Sequence, residues 1–98
     1  MEPRRVLEAV AAEFGITVDE LVGRRRTARV ALARHTAALL LREQLGLQVT
    51  EVGRVLGGRH HATASNSIER AYSRRLDRPT YRARLEDLAD RLHRSPAA

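Results

Sequence analysis

Cysteine, lysine and tryptophan are absent from this 98-residue chain, and each absence removes a class of function. Without cysteine there is no disulfide framework and no thiolate metal site. Without lysine there is no Gly-Lys-Thr/Ser phosphate loop, and no strand precedes Gly57-Gly58, so this pair does not read as a nucleotide cradle. Aromatic side chains are limited to Phe14, Tyr72 and Tyr81, which leaves the core to Leu, Val and Ala and offers few rings for stacking RNA bases. No apolar run approaches the roughly 20 residues of a membrane span, and Glu8 interrupts Val6 to Ala12 where a signal peptide would be continuous. No membrane partner is expected, and the expected location is the cytoplasm.

What is present favours helices. Leu, Ala, Arg and Glu are good helix formers, while strand-favouring β-branched and aromatic residues are sparse. A chain of this length buries roughly 60–70% of the surface its unfolded form exposes, so one domain over 1–98 is expected. The expected fold class is all-α, a compact helical domain of about five to six helices. Every one of the eighteen basic residues is Arg. Residues 1–22 carry two Arg against five acids (net −3), 23–75 eleven against three (+8), and 76–98 five against four (+1). A basic middle is either a polyanion-binding face or a solvated surface, and composition alone does not separate the two.

Pro3 suits a first helical turn, and Val6, Leu7, Val10, Ala11 and Phe14 recur at helical spacing until Gly15. A short helical turn, begun by Thr17 or by Val18-Asp19, follows from Asp19 to Val22, anchored by Ile16, Val18 and Leu21 and closed by Gly23. The run Arg24-Arg25-Arg26-Thr27-Ala28-Arg29 has four arginines in six residues and no apolar stripe, which reads as an exposed loop leading into a helix. Val30, Ala33, Ala37, Leu40, Leu41 and Leu45 form a stripe four turns long, the expected central core helix, with Gly46 as its C-cap. Arg34 and His35 lie one turn into it, close enough to the arginine loop to share its ligand. After Pro79, the residues Tyr81, Leu85, Leu88, Ala89 and Leu92 form a last amphipathic helix, and 93–98 is expected to fray.

The most informative stretch is Thr50 to Ala71. Thr50 is placed to N-cap a helix over Glu51 to Leu56, within which Gly53 admits a close neighbour. Each glycine of Gly57-Gly58 would cost a helix about 1 kcal/mol relative to Ala, but both suit the positive φ of a tight turn. On a wheel of the following helix, about Ala62 to Leu76, Ala64, Ile68, Ala71 and Tyr72 face the core. Arg59, Ala62, Thr63, Asn66 and Arg70 fall on the far side. Helix, glycine turn and basic second helix together are the sequence form of a helix-turn-helix. A guanidinium, a hydroxyl and an amide near a helix N-terminus are groove-reading groups.

These residues resemble the C-terminal DNA-binding domain of the bacterial chromosomal replication initiator DnaA. Its recognition helix opens with Gly-Gly-Arg-Asp-His-Thr-Thr, where this chain has Gly57-Gly58-Arg59-His60-His61-Ala62-Thr63. The arginine-rich stretch, Asp19-Glu20-Leu21 before it and Val52-Gly53 match as well, and the similarity covers about Ile16 to Leu92. The resemblance implies a strand-free fold with its recognition helix in a major groove and its basic loop in the adjacent minor groove. Arg26 matches the loop arginine that enters the minor groove, and Arg34 a backbone-contacting arginine. Arg59 and Thr63 match DNA-contacting residues at the start of the recognition helix, and His61 a histidine that touches a base. With Arg24, Arg25, His35, Thr50, His60, Ala62, Asn66 and Arg70, these make the expected DNA-binding set.

The reading head departs from the family pattern. His60 stands where the family has Asp, so an acceptor for cytosine N4 becomes a donor or a cation; Ala62 replaces Thr, and Asn66 and Ser67 stand where His and Ala are common. The 98 residues include no ATPase domain, so the expectation is a stand-alone binder or a domain of a longer protein.

The expected function is sequence-preferring binding of double-stranded DNA by a nucleoid-associated monomer, in replication initiation or its regulation, with a DnaA-box-like duplex as candidate site. The alternative is a protein-interaction module of the replication machinery that keeps the fold and has lost box reading. His60 and Ala62 motivate it, and the retained arginine loop argues against it. No enzyme constellation appears, since Ser65, Ser67 and the histidines lack an oxyanion turn or strand elbow. Adjacent His60 and His61 point in different directions and have no H-E-x-x-H or Cys/His framework around them, so neither metal nor cofactor is expected.

Overall fold

The computed structural model describes residues 1–94, and six helices account for most of them. These are α1 (Pro3–Phe14), α2 (Val18–Val22), α3 (Ala28–Leu45), α4 (Val49–Val55), α5 (His61–Asp77) and α6 (Pro79–His93). No strand occurs among the described residues, so the all-α reading holds at six helices. No described helix is long and apolar enough to cross a membrane.

Local chemistry sets most boundaries. Proline occupies the first turn of both α1 and α6, where its missing N–H has no helical partner to lose. Gly15 and Gly46 end α1 and α3 in the left-handed conformation, each at φ 66°. At the start of α2, Thr17 Oγ1 accepts from the Glu20 N–H at 3.0 Å and Glu20 Oε1 accepts from the Thr17 N–H at 3.0 Å, a complete capping box. Thr27 caps α3 through the Val30 N–H, so this helix starts at Ala28 and takes Arg29 out of the loop.

Thr50 is not the cap of α4. The helix starts two residues earlier than expected, at Val49, with Gln48 as N-cap, whose N–H donates to Glu51 Oε1 at 3.1 Å, and Thr50 lies exposed in the first turn. The tail expected to fray from 93 needs a second correction. His93 is the last residue of α6 and its ring is hydrogen-bonded to Gln44, while Ser95, Pro96, Ala97 and Ala98 lie outside the described residues.

Helix α3 is the axis of the core. It buries Val30, Ala33, Ala37, Ala38, Leu39, Leu40 and Leu41, which lie on several sides of the helix rather than on the single stripe expected, because the other five helices pack around it. The polar Thr36 is buried with them and is fully satisfied. It donates to the Leu32 carbonyl at 2.8 Å and accepts from the Tyr81 hydroxyl at 2.7 Å. On α5 the buried residues are Ala64, Ser67 and Ala71. Tyr72, placed in the core by the helical wheel, is half exposed and lies beside the Arg75 guanidinium. Small Ser67 takes the inward position instead and is buried.

Helix α6 closes the bundle against α1. Glu13 at the end of α1 accepts from Arg84 at 2.7 Å and from Arg91 at 2.6 Å, and Arg84 also lies 4.1 Å from the centre of the Phe14 ring. The Arg84 hydrogen bond, reinforced by Arg91, holds the Glu13 carboxyl below the ordinary glutamate range against an opposing effect of partial burial. A carboxylate whose pKa is lower folded than unfolded stabilises the fold above its unfolded-state value and loses that contribution as pH falls through the folded one. Glu13→Gln is therefore expected to lower the melting temperature by roughly 3–8 °C at pH 7. The difference should shrink steadily as pH falls from about 5 towards 2.5. Calorimetric melts across that range check it, and a difference independent of pH would assign the loss to packing instead.

Candidate nucleic-acid interface

Helix α2 is only five residues long, so almost all of its carbonyls lack an intrahelical partner and need donors from elsewhere. Two arginines supply them. Arg34 on α3 is 8% exposed. Its Nε donates to the Leu21 carbonyl at 2.7 Å, its Nη1 to Arg25, and its Nη2 to Glu20 at 3.0 Å and Gly23 at 2.7 Å. Arg59, in the turn before α5, donates through Nη1 to the carbonyls of Val22 and Leu56 and through Nη2 to that of Gly23. The Gly23 carbonyl thus receives both guanidinium groups. Only arginine offers a planar fork of five N–H donors that can serve several carbonyls at once.

Burial, followed by the proximity of Arg59, lowers the Arg34 pKa; burial, followed by Arg24, lowers that of Arg59. Sequence reasoning placed both side chains outward. The wheel treated Arg59 as helical, but Gly57 and Gly58 adopt φ 88° and 81° and turn the chain so that Arg59 reaches back to α2. The same turn brings Gly57 so near Val22 that a β-carbon there would collide with the Val22 carbonyl oxygen. In α4, a β-carbon on Gly53 would likewise collide with the Arg59 carbonyl oxygen.

Gripping the loop backbone leaves its side chains outside. Arg24, Arg25 and Arg26 are exposed; Arg25 lies 3.7 Å from Glu20, and Arg24 and Arg26 make no ion pair among the described residues. Arg24, Arg26 and Thr63 line a single cleft together with Arg34, Gly57, Gly58 and Arg59. The arginine loop and the first turn of α5 therefore form one surface, although 37 residues separate Arg26 from Thr63 in the sequence.

Helix α5 begins at His61, and His60 is its N-cap, with Nδ1 accepting from the Ala62 N–H at 3.1 Å. An imidazole that accepts at Nδ1 carries its proton on Nε2, so the outward nitrogen of His60 is a donor. The His61 ring lies 4.6 Å from that of His60, and His61, Ala62, Thr63, Asn66 and Arg70 are all exposed.

Asn66, Arg70 and His35 share a second groove, between α5 and α3, together with Arg74. Burial, then the nearby cations Arg70, Arg74 and Arg34, holds His35 below the ordinary histidine range, so it faces the groove uncharged at neutral pH. Arg74 was not singled out from the sequence, though its position four residues after Arg70 places it on the same helical face. Thr50 lines neither recess. No group of three or more metal-ligating side chains occurs among the described residues.

This geometry coincides with a family assignment. The bacterial DnaA protein helix-turn-helix family matches residues 3–71, a span that takes in α1, starts before the resemblance noted over 16–92, and ends within α5. Among curated relatives, the chromosomal replication initiator protein DnaA of Thermomicrobium roseum is 41% identical over 70 residues, 71% of this chain and 15% of that protein. The protein of the same name from Corynebacterium jeikeium is 43% identical over 61 residues, 62% of this chain and 10% of the relative. That from Ureaplasma parvum is 33% identical over 69 residues, 70% of this chain and 15% of the relative. The chain thus spans a small fraction of the length of these relatives. With the matched span running from α1 through the glycine turn to Ala71, this chain belongs to the bacterial DnaA helix-turn-helix family.

Proposed function

We propose that this domain binds double-stranded DNA with a sequence preference, acting in replication initiation or its regulation as a monomer associated with the nucleoid in the cytoplasm. The observation that carries the reading is the cleft shared by Arg24, Arg26 and Thr63. Free guanidinium groups on one wall and a helix N-terminus on the other suit two neighbouring grooves separated by one phosphate backbone. In this arrangement Arg26 lies in the minor groove, and α5 presents His60, His61, Thr63 and Asn66 to the major groove. Arg70 and the neighbouring Arg74 follow the backbone beyond. Affinity comes mainly from the arginines, and discrimination from the first two turns of α5.

Fluorescence anisotropy with a random duplex and with a DnaA-box duplex, over a series of salt concentrations, tests the reading. Salt-sensitive binding to both with a preference for one sequence is expected. Complete absence of duplex binding would sink it in favour of a protein-interaction module.

The capping role of His60 leads to a prediction about base preference. An Nε2–H donor suits the acceptor edges of guanine, adenine or thymine, whereas a carboxylate accepts from cytosine N4. Aspartate is also a good N-cap, so His60→Asp should leave the melting temperature within about 3 °C of the original. At one base-pair position it should shift preference towards cytosine by roughly tenfold. Competition among duplexes varied one position at a time checks this, and an unchanged preference would remove His60 from the reading head.

A further inference from the structure

We infer that Arg59 and Arg34 are positioning residues, which lock the arginine loop to the helix-turn-helix so that loop and recognition helix meet DNA as one rigid unit. The inference rests on the DNA-binding reading above and assigns these two arginines a different task from that of their neighbours. Arg59 arises in the turn between α4 and α5, and Arg34 in α3, yet both end on the Gly23 carbonyl, immediately before Arg24. Between them they also engage the carbonyls of Glu20, Leu21, Val22 and Arg25, so every residue from 20 to 25 except Arg24 is held through its backbone oxygen.

Nothing acidic neutralises the pair. Neither arginine makes an ion pair among the described residues, and the oxygens they contact are all backbone carbonyls. A side chain that reached for phosphate would leave the buried Leu21 carbonyl and the part-buried carbonyls around it without these donors, a cost that counts against the phosphate contact. The close approach of Gly57 to the Val22 carbonyl holds the same junction from the other side. The spacing between Arg26 and Thr63 is therefore fixed before any ligand arrives, and the entropy of ordering the loop is not charged against binding.

The test uses Arg59→Lys, which keeps the charge but cannot serve three carbonyls with one planar fork. Duplex binding at one fixed salt concentration, well below the melting temperature, should fall about tenfold. Arg26→Ala, which should weaken the unmodified protein about fivefold or more, should weaken the Arg59→Lys background by less than about twofold. Amide exchange of residues 22–26 should accelerate in Arg59→Lys. Two results would overturn the inference. If Arg59 contacts phosphate, lysine retains most of the binding and the two substitutions act independently. If Arg59 serves stability alone, the melting temperature falls while affinity and the full effect of Arg26→Ala persist.

Should Arg59→Lys fail to fold, the unmodified protein still decides. The guanidinium N–H resonances of Arg59 and Arg34 should be protected from exchange in free protein and move little on saturation with duplex, while those of Arg26 move. Unprotected resonances, or a large shift at Arg59, would overturn the proposal. A protein that binds no duplex at all removes the functional reading as well, whereas duplex binding with independent substitutions removes only the positioning role.

Discussion

Gly57→Ala will lower the melting temperature by about 8–15 °C and Gly58→Ala by about 4–8 °C, although the two glycines share nearly the same backbone conformation. Their φ angles are 88° and 81°, and an L-residue held there costs about 1 kcal/mol at either position. Surroundings separate them. No atom lies within 4 Å of a β-carbon built on Gly58, whereas one on Gly57 strikes the Val22 carbonyl oxygen, which is backbone and cannot rotate aside. The variant must therefore move the end of α2 away from the turn and loosen the Arg59 contact with Val22. Duplex affinity should accordingly fall about tenfold or more in Gly57→Ala and stay within about twofold in Gly58→Ala. Thermal melts and anisotropy on the two purified variants check both halves. Equal behaviour would show that the junction between loop and turn is not close-packed in solution.

Replacing Arg24 and Arg26 together by alanine should produce the opposite profile, with binding lost and stability kept. Both side chains are exposed and make no ion pair among the described residues, so the melting temperature should move by less than about 2 °C. Each neutralised phosphate contributes about 0.9 to the slope of log affinity against log salt, worth about fivefold at 0.15 M salt. The double variant should bind duplex about 25-fold more weakly, with a salt slope smaller by about two. Because the loss is electrostatic, it should be nearly the same for a preferred and a random sequence. A salt slope equal to that of the unmodified protein would take the loop out of the interface.

Much of the fold was legible because its boundaries are made by local chemistry. Gly15 and Gly46 announce left-handed caps and Pro79 announces a first turn, each within a few residues, whereas the capping box of Thr17 and Glu20, which starts α2 at Val18, was not read. Errors arose where two local signals competed or where a distant partner decided. At α4, Gln48 and Thr50 are both polar and close to the first turn, and the choice falls to Gln48, whose N–H the Glu51 carboxylate reaches. At α5 a wheel leaves Ser67 and Tyr72 at the margins of the apolar face; apolar character favours Tyr72 on paper, yet Ser67 is the one buried in the molecule.

The candidate interface divided in the same way. Thr63, Asn66 and Arg70 were legible as an outward face because helical periodicity carries that information. Arg34 and Arg59 were not, because an arginine that satisfies carbonyls 11 or 36 residues away has the same one-letter signature as one that meets phosphate. Charge density draws attention to the segment. It has no means of telling struts from contacts.

The shortness of α2 has a consequence for the order in which the molecule assembles. Five residues are too few to hold a helix in water, since nucleation is unfavourable and an isolated helix needs about 12–15 residues to be even marginal. The capping box helps one end; the other end depends on side chains rooted in α3 and in the α4–α5 turn. Those elements must already be in place before α2 can persist. The arginine loop is thus expected to form late in folding, and φ-values near zero measured for its residues would check this. The same dependence places it among the first parts to open when the protein is stressed.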